Sequence, residues 1–219
     1  MCNALSWLST GHRRYSAKAA AIKVAGAANP LPPLHFDLEQ VSQPHLSHWK
    51  CHMQSMDDLF YALLQDVYSA EKELLKALPE LAKRSTNKTL QQAFADDRDE
   101  TEEHLERLKK VFGAIGKMPR GKICEAMQGI IAESQHVIDE VEDGALRDAG
   151  IVAAAQAAEH YQIARYGTLR AWAELLGEDE IVELLSDTLE EKKHADELLS
   201  WIAEGGVNES ASQRPQAAE

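Results

Sequence analysis

Cysteine is scarce in this 219-residue chain: Cys2, Cys51 and Cys124 show no paired spacing and suggest no disulfide framework. A reducing compartment, the cytoplasm, is therefore the default setting. No run of eighteen apolar residues occurs, so no segment is expected to span a membrane. Positive charge is also thin, with 23 Lys plus Arg against 36 Asp plus Glu. Between Met56 and Gly206 the imbalance deepens to 17 basic and 32 acidic residues, a net of −15. Nucleic-acid binding rests on clustered Lys and Arg that neutralise phosphates, and this composition argues against it.

Acid is missing from the start of the chain. No Asp or Glu precedes Asp37, while Arg13, Arg14, Lys18 and Lys23 sit among Ala and Ser. That composition resembles a transit peptide, and a translated upstream segment fits equally well, because Met53 and Met56 stand just ahead of the helical part. Pro30, Pro32 and Pro33 break any continuous helix there. Residues 1–54 are expected to be a disordered or mispredicted extension that the fold does not need. Five of the nine histidines fall in this stretch without ligand-like spacing.

From Ser55 onward the pattern is helical, and one domain is expected over 55–206. The first long helix should run from Met56 to Arg84, opened by a Ser55/Asp58 capping box, with Pro79 implying a kink. Its apolar seam is Phe60, Leu64, Val67, Glu71, Leu74, Leu78, Leu81. The second runs from Lys88 to Ile115 on the seam Leu90, Phe94, Asp97, Thr101, His104, Leu108, Val111. A basic Gly- and Pro-containing linker and a shorter helix over 124–142 follow. The third long helix covers Ala145 to Leu176, and the fourth begins after Gly177 and ends near Glu204. Residues 207–219 read as a disordered tail.

Four long helices with one long connection between the second and third match a ferritin-like four-helix bundle, all-α, with an additional short helix in the crossover. The first and third helices are expected to run parallel, as are the second and fourth. Weak internal repetition supports two related hairpins: Tyr68-Ser-Ala-Glu71 against Gln156-Ala-Ala-Glu159, and Glu100-Thr101-x-x-His104 against Asp187-Thr188-x-x-Glu191.

Each seam carries polar side chains near its middle: Glu71; Asp97, Thr101 and His104; Gln156 and Glu159; Thr188 and Glu191. The fourth seam is taken as Ile181, Leu184, Thr188, Glu191, Ala195, Leu198, Ile202, which puts Glu191 in the core and His194 one turn up the same face. Carboxylates gathered at one level of an apolar core repel, and each costs several kcal/mol by desolvation unless compensated. Divalent cations are the simplest compensation, and carboxylate-rich ligands with one or two histidines suit iron or manganese better than a thiolate zinc site. Taken singly, each of these residues reads more plainly as a solvated or hydrogen-bonded side chain. Four helices offering carboxylates at one level favour the metal.

The segments Asp66-Val-Tyr-Ser-Ala-Glu-Lys-Glu-Leu-Leu-Lys-Ala-Leu-Pro79, Arg147-Asp-Ala-Gly-Ile-Val-Ala-Ala-Ala-Gln156, Glu159-His-Tyr-Gln-Ile-Ala-Arg-Tyr-Gly-Thr168 and Thr188-Leu-Glu-Glu191 resemble the YciE/YciF family of ferritin-like proteins. The resemblance covers about Met56 to Ala203. It implies a ferritin-like bundle, frequent homodimers, a link to bacterial stress responses and a di-metal centre. Glu71, Glu159 and Glu191 match positions expected to face metal. The second helix departs from the general pattern: Thr101 rather than Glu lies three residues before His104, the nearest acid is Glu100, and Asp97 stands where family members commonly carry His.

The resulting expectation is two iron or manganese ions, iron favoured, held by Glu71, Glu159, Glu100, His104, Glu191 and His194. Asp187 is an alternative or outer ligand, and peroxide or dioxygen is the small oxidant such a centre would meet. The alternative is a non-enzymatic helical-bundle interaction protein whose polar layer is neutralised by hydrogen bonds and shared protons. On the metal reading, removing the Glu191 carboxylate should leave the metal-free protein as stable or more so.

Overall fold

The computed structural model describes residues 53–142 and 144–213. The first 52 residues, where the extension, Cys2, Cys51 and five of the histidines fall, lie outside the described residues.

Five helices account for most of what is described: α1 (Met56–Arg84), α2 (Lys88–Ala114), α3 (Glu125–Glu140), α4 (Ala145–Leu176) and α5 (Asp179–Ile202). No strand occurs among the described residues. The helix limits follow local chemistry. Ser55 Oγ accepts from Asp58 N while Asp58 Oδ2 accepts from Ser55 N, the reciprocal cap expected from the sequence. Asn87 caps α2 by accepting from Leu90 N. Gly177, at φ 75°, ends α4 in the left-handed conformation that glycine adopts without strain. The helix continues through Pro79, whose ring lies on the exposed side of α1.

The seam of α1 is buried throughout, at Phe60, Leu64, Val67, Glu71, Leu74, Leu78 and Leu81, and that of α2 at Leu90, Phe94, Thr101, His104, Leu108 and Val111, with Asp97 half-buried. α1 packs on α2 and α4, α5 packs on α4 and α2, and α3 lies against α1 and α4. This is the ferritin-like four-helix bundle with its long crossover holding one short helix.

The helix directions differ from the expectation. Phe60 and Leu64 share an apolar cluster with Leu169 and Ala173, whereas Leu78 and Leu81 share another with Ile151 and Val152. α1 and α4 therefore run antiparallel. By the same test α2 and α5 are antiparallel, since Leu108 and Phe112 meet Ile181 and Leu185 while Leu90 and Phe94 meet Leu199 and Ile202. The cause is the crossover, which carries the chain from the end where α2 finishes back to the end where it began. Neighbours then alternate in direction, and the parallel pairs are the diagonals.

Asp148, in the first turn of α4, ties this arrangement together. Its carboxylate accepts from Thr86 N (2.7 Å), Thr86 Oγ1 (2.6 Å) and Asn87 N (2.9 Å), clamping the α1–α2 turn to a helix some sixty residues away.

Helical geometry also continues past Gly205-Gly206, where the composition implied a tail. The chain kinks within Ala203–Val207 and resumes in a short α6, Asn208–Ser212. Gly206 at φ 134° redirects the chain, and Val207 is buried in the cluster with Ile202 and Leu81. Burial of that valine explains why the segment follows the bundle.

Candidate metal centre

The two apolar clusters occupy opposite halves of the bundle, and a layer of charged and polar side chains lies between them. The helix registers bring Glu71 from α1, His104 from α2, Glu159 from α4 and Thr188 from α5 to this level, all buried. Around His104 the geometry is specific. Its Nε2 lies 2.9 Å from Glu191 Oε2, and its Nδ1 faces Glu71 Oε1 at 3.7 Å. Glu71 Oε1 also accepts from Tyr166 OH at 2.6 Å.

The tautomer follows from the partners. Arg107 donates to both oxygens of Glu191, by Nη2 to Oε1 at 2.8 Å and by Nη1 to Oε2 at a very short separation. Burial works to raise Glu191, but the bonds from Arg107 and His104 outweigh it and hold the carboxyl below its ordinary value. Glu191 thus has no proton to give, and His104 Nε2 must be the donor. Burial pushes the His104 pKa down, favouring the neutral ring. Nδ1 is then left as an acceptor, buried and without a hydrogen-bond partner, facing Glu71.

The other half of the layer is built on Lys192, a residue the sequence reading left out of the core. It is 1 % exposed, with Nζ 3.0 Å from Asp97 Oδ1 and 3.5 Å from Glu159 Oε1. Burial alone would lower its pKa, but Asp97, Glu159 and Glu71 together raise it, so the ammonium is retained. Glu159 is raised as well, which for a carboxyl favours the neutral form: burial pushes its pKa up to about 8 despite Lys192.

Of the seven expected ligands, Glu71, His104, Glu159 and Glu191 converge on the layer. Glu100 is half-buried at its edge, and burial raises its pKa. Asp187 and His194 are exposed on the outer face of α5. The reason is helix phase. The buried stripe of α5 is Ile181, Leu185, Thr188, Leu189, Lys192, Leu199 and Ile202, so Glu191 sits at its margin and His194 turns outward. Lys192 and Arg107 were missed because a cation on a helix ordinarily reads as solvated. The spacing of Leu185, Leu189 and Leu199 from Ile181 was the available signal for the correct phase.

Among the described residues no three His, Cys, Asp or Glu side chains are arranged to hold a metal ion. The donor chemistry nevertheless fits one cation. Glu71 Oε2, Glu159 Oε2 and His104 Nδ1 are buried without a hydrogen-bond partner, as are Thr101 Oγ1 and both polar atoms of Gln162. A histidine that donates its other ring nitrogen to a carboxylate is the usual arrangement behind a metal ligand. Four carboxyl groups, Glu71, Asp97, Glu159 and Glu191, share the layer with two fixed cations, Lys192 and Arg107, and a metal ion engaging Glu159 would have to displace the proton that burial holds there up to about pH 8.

Fold and buried layer together define a ferritin-like bundle with an acidic, histidine-containing core. The family model DUF892, a domain of unknown function, matches residues 55–212, and the chain belongs to that family. Protein YciF of Escherichia coli K12 is 43% identical over 164 residues, which is 74% of this chain and 98% of that protein. The crystal structure of that E. coli stress protein superposes with a TM-score of 0.69, covering 71% of this chain and 99% of the other at 43% identity. YcfI of Rhodopseudomonas palustris is 44% identical, with a TM-score of 0.68 over 69% of this chain and 97% of that one. A Xanthomonas campestris protein at 20% identity and TM-score 0.58, covering 71% of this chain and 95% of its own, shares the fold.

Proposed function

We propose that the chain is a stress-response protein of the YciF type that holds one divalent cation, iron or manganese with iron favoured, on Glu71, His104 and Glu159. The observation carrying this is the facing pair His104 Nδ1 and Glu71 Oε1, 3.7 Å apart, with His104 Nδ1 and Glu71 Oε2 both buried and without a hydrogen-bond partner. The second charge of a two-metal centre is replaced here by Lys192 and Arg107, which engage Asp97, Glu159 and Glu191. Glu100, Asp187 and His194 then have no ligand role.

Iron or manganese bound there would supply a one-electron couple able to meet peroxide or dioxygen. The chain's own residues do the rest. Arg107 holds Glu191, Glu191 fixes the His104 tautomer, and Tyr166 orients Glu71. The apolar clusters above and below exclude water. The proposed setting is a homodimer in a reducing cytoplasm, where the buried Cys124 remains a thiol.

A second reading is favoured by the same ion pairs: with Glu159 protonated, Lys192 and Arg107 nearly balance the layer unaided. The protein would then be a non-enzymatic interaction bundle, in keeping with the structural description given to the Rhodopseudomonas palustris relative. Metal analysis after anaerobic loading separates the readings. About one equivalent of iron or manganese per chain, lost in Glu71→Gln with the fold intact, is the expected result. Two equivalents would restore the two-metal centre, and none would leave the interaction bundle.

A further inference from the structure

A cavity of about 400 Å³ lies among all five helices, within the range of small-molecule sites. It exists because small residues face one another where large ones would fill the space: Ala77, Ala93, Ala155 and Ala195 come from four different helices. Its walls are aliphatic and aromatic, with Leu78, Phe94 and Ile131 among them. Its two ends differ. The exposed Lys76, Glu80 and Gln135 form the rim, whereas Asp97 and the buried Glu159 close the inner end. Glu71 and His104 do not line it, so it is distinct from the cation position, with Glu159 common to both.

We infer that this cavity binds a straight-chain aliphatic amine, its chain along the apolar walls and its ammonium beside Asp97. Three observations select that chemistry. At the inner end Glu159 Oε2 is buried without a hydrogen-bond partner and Lys192 takes only one Asp97 oxygen, so acceptors stand open to the donors of an ammonium head, whereas a carboxylate head brings none. Asp97 gives Oδ1 to Lys192 and its side chain remains 12 % exposed, so the carboxylate is reachable from the cavity. The chain as a whole carries −13, which draws cations toward the rim. The apolar walls exclude a polyamine, whose further charges would be buried unpaired. The inference stands on cavity and charge and does not require the metal.

The test is calorimetric titration of the full-length protein with decylamine, decanoate and spermidine. Decylamine should bind saturably at about one per chain, and the other two at least about tenfold more weakly. Ala155→Leu, which fills the space, should weaken decylamine by about tenfold while the melting temperature holds. If that variant fails to fold, Ala77→Leu makes the same test from the facing helix. Asp97→Asn should erase the preference for decylamine over decanoate. Equal binding of decanoate would overturn the head-group assignment. Equal binding of spermidine would place the amine on the acidic surface and overturn the cavity site, as would decylamine affinity unchanged in the filled variants.

Discussion

Lys192 on α5 is held 3.0 Å from Asp97 on α2 in a layer between the two apolar clusters. A buried ammonium survives there only because Asp97 and Glu159 repay its desolvation. Lys192 and Arg107 together let the bundle gather four carboxyl groups at one level.

Lys192→Ala should therefore be among the most damaging single changes in the chain. It leaves Asp97 and Glu159 without their cation, and breaking a buried pair from one side costs about 3–5 kcal/mol. Urea denaturation measures this. A loss under about 1 kcal/mol would mean that Asp97 and Glu159 are satisfied by other partners.

The pH dependence of the metal-free protein follows from Glu159 and His104. Glu159 is raised from 4.5 to about 8 in the folded state, so the unfolded chain releases that proton first as pH rises. Its contribution is full below pH 4.5 and is lost between 4.5 and about 8. His104 is depressed from 6.5 by burial, so the unfolded chain binds that proton more readily and stability falls as pH drops below 6.5. The two slopes oppose each other below 6.5, and only the Glu159 slope remains above it. Melting temperature should decline from pH 6.5 to 8, by an amount worth of order a few kcal/mol. Glu159→Gln should flatten that decline, and an unchanged profile would show that another group is titrating.

Glu191→Ala reverses the expectation drawn from the sequence. Glu191 is the acceptor for both Arg107 donors and for His104 Nε2, so truncating it strands three buried or half-buried donors. The metal-free variant should lose about 1–3 kcal/mol rather than gain. A stabilised variant in a chelator-treated sample would restore the picture of a repelling acid.

The fold was legible in the sequence because α1 and α2 carry unambiguous stripes. Phe60 to Leu81 and Leu90 to Val111 recur at alternating three and four, and every position is buried except the half-buried Asp97. α5 was legible as a helix but not in phase. Two stripes share Ile181, Thr188 and Ile202, and they differ in whether Glu191 or Lys192 faces inward. Reading Glu191 as a ligand selected the stripe that exposes Leu185 and Leu189. Area buried by those leucines decides the matter, since each contributes about 1.5–3 kcal/mol when covered. Of the site, Glu71, His104 and Glu159 could be found because polar residues interrupt apolar stripes. Arg107 and Lys192 could not, because long cationic side chains are common on exposed helix faces and nothing local marks these two as buried. Helix direction was missed for a different reason: it is set by where the crossover ends, and no side-chain pattern encodes that.

The three hydrogen bonds that Asp148 accepts from Thr86 and Asn87 also bear on how the bundle opens. A helix that begins at a short turn ordinarily frays there, and its first amides exchange with solvent by local opening. Here the Thr86 and Asn87 amides are bonded to a residue of another hairpin, so they are released only when α4 leaves the α1–α2 pair. Their hydrogen-exchange rates should match those of core amides such as Leu108, and Asp148→Asn should restore fast local exchange at 86 and 87 alone. The turn between α1 and α2 is in that sense a latch between hairpins, and its opening reports the separation of the two halves of the protein.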